Sequence, residues 1–195
     1  MEDPKPSGGR GVDLSTFSAG DFDRGAGKVK EAMWVIVRTM FFELLPGKWY
    51  GLKRWLLRCF GAKIGHGVVV KPGARISFPW KLTVGDHVWV GEDSWLLNLA
   101  PIVIEDHVAI AHRVFICTGN HDYTSPRFDL IVKSIRIQRG AWLTAGSMVA
   151  PGVTVGEHAV LCMGSVATSD LEPYGIYRGN PAERIASRRI RDTSE

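Results

Sequence analysis

The chain has 195 residues, of which 45% are hydrophobic, and carries 24 Lys and Arg against 20 Asp and Glu. This length suits one domain with terminal elements, and the apolar fraction is sufficient for a packed core. The mild positive charge favours a small anionic ligand. The basic residues are not interleaved with aromatic ones, so a nucleic-acid partner is not expected.

The cysteines indicate the compartment. Cys59, Cys117 and Cys162 are an odd number, far apart in sequence and without metal-ligand spacing. Such a set predicts free thiols in a reducing environment. The N-terminal residues contain no apolar segment typical of a secretory signal. We therefore expect a cytoplasmic protein.

Residues 1–61 form an N-terminal region of two parts. Residues 1–26 are rich in Gly, Ser, Asp and Pro and predict an extended arm. Residues 28–45 predict an apolar helix that is broken at Pro46 and Gly47, and residues 49–60 predict a second helix. The stretch 33–45 is too short to span a bilayer.

Two interpretations of this helical pair remain open, because its apolar residues cover nearly the whole circumference. The pair either caps the first repeat or contacts a membrane at its inner face. The second interpretation assigns the membrane contact to Trp34, Phe41, Phe42, Trp49 and the basic residues Lys48, Lys53, Arg54 and Arg58.

From residue 62 to 172 an aliphatic residue returns every six positions, and a small residue follows four places after it. One short strand and one turn fit six residues, so three units close a triangular coil. Six-residue periods are a signature of parallel β-helices, whose units bury their apolar side only by stacking. The anchors include Ile64, Val70, Ile76, Leu82, Val84, Val90, Leu96, Ile102, Ile104, Ile110, Ile116, Ile137, Leu143, Val149, Val155 and Leu161.

The frame is lost once, over residues 117–136. This insert is far more polar than its flanks and contains Asn120, His121, Asp122 and Tyr123. A loop that leaves a regular solenoid is a typical place for functional residues. After the last repeat, residues 173–195 form a basic tail that we expect to be partly helical.

Six histidines raise the question of a metal site. Five of them, His66, His87, His107, His112 and His158, follow an anchor by two or three places, where histidine is typical of a solvated corner. His107 and His112 have a suggestive spacing, but no third histidine stands at the upstream spacing that carbonic anhydrases of this fold use. We therefore expect no metal.

His121 differs because it lies outside the repeats, within the polar insert. A histidine can accept a proton near neutral pH, which a base that activates a hydroxyl group requires.

The sequence Gly119-Asn120-His121-Asp122-Tyr123 resembles the active-site loop of hexapeptide-repeat acyltransferases, and residues 178–182, Arg-Gly-Asn-Pro-Ala, resemble their terminal signature. Nearly the whole chain is similar to the colanic-acid-type sugar O-acetyltransferases of exopolysaccharide biosynthesis. Shared segments are Leu-Ser-Thr-Phe-Ser at 14–18, residues 55–65, and Pro-Trp-Lys-Leu at 79–82.

This resemblance implies an all-β fold, a left-handed parallel β-helix, and a homotrimer with active sites between subunits. It also implies acetyl-CoA as co-substrate and His121 as the base in a direct transfer, without an acyl-enzyme. Either Asp122 or Asp21 of the arm orients His121. Tyr123 and Asn98 are expected at the acceptor, although a corner role with a left-handed backbone is an equal alternative for Asn98.

For the coenzyme, the resemblance implies contacts from Ala145, Met163 and Thr168. Glu183 replaces a cation that many relatives carry, so Arg184 is expected to contact the phosphates, with Arg178 second. A serine or amino-sugar acetyltransferase, a non-catalytic β-helix and an anhydrase are the alternatives. The acceptor is left open among free, nucleotide-linked and lipid-linked sugars.

Overall fold

The computed structural model describes residues 11–44 and 48–191. In this part of the chain the repeats form a parallel β-helix, as the six-residue period predicts. The strands in chain order are β1 (Lys63–Ile64), β2 (Val69–Val70), β3 (Arg75–Ile76), β4 (Leu82–Val84), β5 (Trp89–Val90), β6 (Trp95–Leu97), β7 (Ile102–Ile104), β8 (Ala109–Ile110), β9 (Phe115–Cys117), β10 (Gly119–His121), β11 (Leu130–Val132), β12 (Ile135–Ile137), β13 (Trp142–Leu143), β14 (Met148–Val149), β15 (Thr154–Val155), β16 (Val160–Leu161), β17 (Val166–Ala167), β18 (Gly175–Gly179) and β19 (Ala182–Ser187).

Three sheets form the walls of the coil. The first contains β1, β4, β7, β12 and β15, and the second contains β2, β5, β8, β13, β16 and β18, with β19 added at its edge. The third contains β3, β6, β9, β14 and β17. The predicted anchors and the small residues that follow them fill the interior, as the buried pair Ile104 and Val108 illustrates. At the corner after β5, Gly91 is required, because a Cβ there would overlap the backbone of Ala111 in the next coil.

The helical pair closes the first coil. Helix α1 (Lys28–Arg38) continues into a π-helical segment, Thr39–Leu44, and α2 spans Tyr50–Cys59. Both predicted helices are confirmed within the described residues, whereas the predicted break at Pro46 and Gly47 lies outside them. No helix among residues 11–44 and 48–191 combines the length and apolar character needed to cross a bilayer.

The cap also satisfies backbone groups that the repeats leave without partners. Along the coil, the N–H groups of one turn donate to carbonyls of the next turn, so the first-turn carbonyls have no preceding coil to bond. Donors from the helices fill these positions: Trp34 Nε1 bonds Ile76 O at 2.8 Å, and Lys53 Nζ bonds Val70 O at 3.3 Å. Arg54 similarly bonds Val68 O, and Arg58 bonds Ile64 O.

The capping interpretation is therefore confirmed, and the predicted membrane contacts are partly wrong. Trp34 and Phe42 are buried against the coil, and Phe41 is half-buried. Lys53, Arg54 and Arg58 point to backbone carbonyls rather than outward. Burial lowers the pKa of the Lys53 ammonium, since desolvation disfavours its charged form.

The tail corrects a second expectation, because residues 175–187 form a β-hairpin rather than a helix. Strand β18 extends the second sheet beside β16, and β19 folds back antiparallel to it. Ile176 and Tyr177 pair with Val160 and Leu161 of the preceding coil. Backbone hydrogen bonds to the open edge of the second sheet and burial of Tyr177 stabilise the hairpin, and they outweigh the weak helical preference of the basic residues.

Candidate active site

The polar insert forms a two-stranded ribbon that leaves the coil between the third and first sheets. Paired strands are 20 residues apart before the insert, as in Leu82–Ile102, and 18 apart in the coil after it, as in Ile137–Val155. Across the insert, Ile102 pairs with Ile135. The additional residues are accommodated by β10 and β11, which pair antiparallel with His121 opposite Leu130. Directly opposed residues share one face of a ribbon, so His121, Leu130 and Val132 lie on the same face.

His121 is held by Phe128. Its Nδ1 lies 2.8 Å from the carbonyl oxygen of Phe128, and the two rings are stacked with centroids 4.3 Å apart. Phe128 adopts a φ of 55°, an uncommon conformation for a bulky residue that turns its carbonyl toward the imidazole. A carbonyl oxygen can only accept a hydrogen bond, so Nδ1 carries the proton. The Nε2 atom of the neutral ring is then a free acceptor, as a general base requires.

Asp122 does not contact His121 in this arrangement. Its Oδ1 accepts bonds from Thr124 N at 2.9 Å and from Thr124 Oγ1 at 2.6 Å. These bonds stabilise the carboxylate and lower the pKa of Asp122. The structure therefore assigns Asp122 to the turn at the ribbon tip, where Tyr123 is exposed.

The N-terminal arm covers the His121 face of the ribbon. The Phe17 ring lies 5.6 Å from the imidazole, and Asp13 N donates to Pro126 O. Beyond Phe17, the arm and the ribbon line an open pocket of ≈ 260 Å³ that includes Asp21. Its remaining lining is Ser18, Ala19, Gly20, Phe22, Asp129, Leu130 and Val132.

A short segment after β3 fixes the arm. Trp80 Nε1 donates to Arg24 O at 2.7 Å, and Lys81 Nζ donates to the carbonyls of Asp23 and Leu99. Desolvation lowers the pKa of Lys81, which also lies over the ring of Phe22. The Pro-Trp-Lys-Leu motif thus has a physical role, since it attaches the arm to the coil beside the ribbon.

Asn98 supports the wall of this site. It is fully buried, its Oδ1 accepts from Ser77 N and Phe78 N, and its Nδ2 donates to Phe78 O at 2.6 Å. Its backbone does not have the positive φ expected of a left-handed corner. The side chain therefore fixes the corner before Trp80 and exposes no atom to an acceptor in the chain as described.

The residues expected at the coenzyme fall into two places. Ala145 and Met163 line one groove of ≈ 480 Å³, at a corner of the coil. Its walls also carry the ion pair Asp93–Arg113 and a close approach of His112 Nδ1 to the Glu92 carboxylate, each at 3.9 Å. Gly146 completes this lining.

Thr168, Arg178 and Arg184 lie near the end of the coil and are all exposed. Arg184 Nη1 forms an ion pair with Glu172 at 3.2 Å, and its Nη2 donates to Ser187 Oγ. Both contacts are at the surface and therefore weak, so a multiply charged phosphate group can displace them from the Arg184 guanidinium. Arg188 instead donates to the carbonyls of Gly140 and His158 and belongs to the scaffold.

No group of three or more potential metal ligands comes together in the described ranges. His87, His107 and His158 adopt positive φ at corners, and the first two rings stack 5.3 Å apart. These histidines occupy the corner positions that their frame predicts.

The comparisons with known proteins agree with this architecture. No family model matches the sequence. A proposed colanic acid biosynthesis acetyltransferase of Escherichia coli K12, WcaF, is 40% identical over 176 residues, which are 90% of this chain and 97% of the relative.

The chain belongs to the colanic-acid-type acetyltransferases.

Solved structures of hexapeptide-repeat acetyltransferases show the same fold. A Vibrio cholerae member in complex with acetyl coenzyme A is 24% identical and superposes with a TM-score of 0.76 over 89% of this chain and 96% of that one. A galactoside acetyltransferase in complex with coenzyme A is 20% identical, with a TM-score of 0.75 over 82% of this chain and 80% of that one. Membership of the family makes this protein an acyltransferase.

Two residues that contact His121 were not expected from the sequence. Phe128 binds His121 through its backbone carbonyl, which no side-chain pattern reveals. Phe17 contacts His121 from more than one hundred positions away. The motif that contains Phe17, residues 14–18, indicates only a family resemblance, and the polarity of the insert does not indicate that an aromatic ring of the arm covers it.

Proposed function

We propose that this protein transfers the acetyl group of acetyl-CoA to a sugar hydroxyl in exopolysaccharide biosynthesis. One observation supports the chemistry above all: the Phe128 carbonyl holds His121 in the tautomer whose Nε2 can accept a proton. The arm beside this imidazole lines an open pocket that suits an acceptor. The pathway is supported by the 40% identical relative, which is named for colanic acid biosynthesis.

Acetyl-CoA is supported as the donor by the two structural neighbours that contain acetyl-CoA or CoA. We place its pantetheine arm in the groove of Ala145 and Met163, whose walls offer apolar surface at a corner of the coil. Thr168 would lie at the last coil, and Arg178 and Arg184 would contact the phosphates, which are the groups that guanidinium binds well.

The reaction then needs one proton carrier. His121 Nε2 takes the proton of the acceptor hydroxyl while its oxygen attacks the thioester carbonyl carbon. A tetrahedral oxyanion forms, and its collapse forms the acetyl ester and breaks the carbon–sulfur bond. The departing thiolate of CoA takes the proton from His121, which returns the base to its starting form.

Asp21 and Tyr123 are our candidates for contacts with the acceptor. Asp21 lines the pocket beside the ribbon, where a carboxylate accepts hydrogen bonds from sugar hydroxyls. Asp21 also remains a candidate to orient an imidazole across a subunit interface. Tyr123 is exposed at the ribbon tip, from which it can reach a neighbouring chain.

We further propose a homotrimer in which the ribbon of one subunit acts beside the groove of the next. The outward positions of the first sheet are Lys63, Thr83, Val103, Arg136 and Thr154, which are mostly polar. Those of the other two sheets include Trp89, Trp142, Trp95, Phe115 and Met148, most of them exposed in the single chain. Two large apolar walls beside one polar wall favour threefold packing about an axis. We also propose a cytoplasmic location, which the proposed donor acetyl-CoA and the free cysteines support.

Replacement of the base tests the mechanism. We expect His121→Ala to lower turnover about 10²- to 10⁴-fold while the fold and acetyl-CoA binding persist. The assay is release of free thiol from acetyl-CoA against a panel of free, nucleotide-linked and lipid-linked sugars, including an amino sugar and serine.

Asp122→Asn is the matched control, because Asp122 contacts Thr124 rather than the imidazole. It should keep turnover within about tenfold of the parent. Near-normal turnover of His121→Ala would refute the assignment of the base, and exclusive transfer to the amino sugar or serine would refute the proposed acceptor class.

A further inference from the structure

The helical cap has an outward face that no residue of 11–44 or 48–191 covers. Val29, Met33, Ile36, Met40 and Leu44 follow one another at spacings of four, three, four and four residues, and each is between 49% and 75% exposed. Residues at this spacing lie on one side of a helix. We refer to these five residues as the outer stripe.

The inward side of the same helix is firmly anchored, so the outer stripe is not a consequence of a loosely placed element. Trp34 is buried, its indole contacts Phe42 and Phe60, and its Nε1 bonds Ile76 O. At about 100° per residue, Trp34 lies about 100° from Met33 and about 160° from Ile36 around the helix axis, and so on a different side from the stripe. The helix is thus apolar on two sides, and only one of them packs against the coil.

The charge of the cap points to the chemistry of the missing partner. Residues 28–60 contain seven Lys and Arg but two carboxylates, a net charge of +5, whereas the rest of the chain holds 17 cations and 18 acids. Both carboxylates form ion pairs, Glu31 with Arg24 and Glu43 with Arg38. The capping cations bond neutral carbonyls, which leaves their positive charge uncompensated.

Exposed Trp49 and Trp55 belong to the same capping region, and Lys28 and Lys48 are exposed at the start of α1 and before α2. A cap that carries an exposed apolar stripe together with exposed indoles and cations, on helices too short to span a bilayer, has the composition of a segment that lies in a membrane interface.

We propose that the outer stripe docks this protein onto a bilayer that contains anionic lipids. The five apolar side chains enter the boundary between head groups and acyl chains, and the positive field of the cap attracts the anionic head groups. The β-helix then stands with its first coil toward the membrane. This surface is independent of acetyl transfer.

Vesicle flotation of the purified full-length protein tests the proposal. The vesicles are phosphatidylcholine with about 30% phosphatidylglycerol, and phosphatidylcholine alone. We expect flotation with the first at low salt, and a loss of at least about tenfold in the bound fraction at 0.5 M salt or without the anionic lipid. Absence of flotation with the anionic vesicles at low salt would overturn the proposal.

The variant Met33→Glu/Ile36→Glu should lower binding to the anionic vesicles at least about tenfold. The matched control Ile185→Glu/Ile190→Glu makes the same change of charge on two exposed residues of the tail and should retain binding. Equal losses in both variants would contradict a role of the stripe, because charge alone would then explain them.

Light scattering identifies the alternative occupant, a second copy of the chain. An unchanged mass of Met33→Glu/Ile36→Glu supports the proposal, and a fall to a smaller assembly overturns it. Should that variant unfold, quenching of parent tryptophan fluorescence by brominated phosphatidylglycerol vesicles gives the answer. Quenching supports insertion, and its absence refutes it.

Discussion

At the scale of single residues, the proposed site depends on one imidazole and one carbonyl. His121 lies in the insert that the sequence singles out, and Phe128 fixes its tautomer. The nearest carboxylate in sequence, Asp122, is occupied by Thr124. Adjacent residues on a strand point to opposite faces, which explains why a neighbour in sequence is a poor partner here.

The coenzyme prediction also belongs to this scale. We expect Arg184→Ala to raise the Michaelis constant for acetyl-CoA about tenfold, with little change in turnover at saturation, because a charge-assisted phosphate contact is lost. Arg178→Ala should have a smaller effect. The measurement is made at low ionic strength, where screening is weakest.

Arg191→Ala is the control for Arg184→Ala, since Arg191 is an exposed cation of the same tail. It should leave the Michaelis constant unchanged. If Arg191→Ala raised the constant as much as Arg184→Ala, the effect would reflect the general charge of the tail, and Arg184 would have no specific contact.

At the scale of elements, the helical pair completes the first coil by supplying the donors that a preceding coil would supply. This explains basic residues on α2 that otherwise suggest a charged surface. Lys53 is an extreme case, because its ammonium is buried beneath the helix and lies 5.5 Å from the Phe42 ring centroid. The open end of the three sheets, with its unpaired carbonyls, is thus converted into a packed and hydrogen-bonded end.

A conservative change tests this role of the cap. Trp34→Phe removes the donor to Ile76 O and leaves a buried carbonyl unpaired, which should cost about 1–3 kcal/mol of stability. Thermal or denaturant unfolding provides the measurement. Trp55→Phe, on the exposed side of α2, should change stability by less than about 0.5 kcal/mol. Equal effects of the two substitutions would argue against the edge bond.

At the scale of the whole molecule, the three walls of the coil differ in what they present outward. The second and third sheets carry tryptophans, and the first sheet carries polar residues. The proposed trimer places both apolar walls at interfaces. In this trimer the ribbon of one subunit would also lie beside the groove of the next subunit.

Light scattering at micromolar concentration should give three times the 21.5 kDa mass of the chain. Trp95→Ser/Met148→Ser should weaken the trimer and reduce acetyl transfer with it, because anchors of this size each contribute on the order of 1–2 kcal/mol to an interface. Val103→Ser, on the first sheet, should retain the trimer. A fully active monomer would contradict the proposed site between subunits.

The sequence by itself determined the β-helix, the bounds of the polar insert and the place of His121 within that insert. A repeat of six residues is visible in a short stretch of sequence, because each anchor, such as Val84 or Ile104, occupies an inward position of its own coil. A break in the period therefore marks the insert. The family, and with it the acyltransferase class, was likewise predictable from motifs read in order along the chain.

Only the tertiary structure decided which groups meet. The partner of His121 is a backbone carbonyl, the arm arrives from far upstream, and the expected tail helix became a hairpin because an open sheet edge was beside it. Asn98 and Lys53 are polar residues whose buried bonding partners lie 17 to 21 positions away in sequence. Such pairings depend on where separate segments come together in space, and a buried polar group takes whichever partner it finds there.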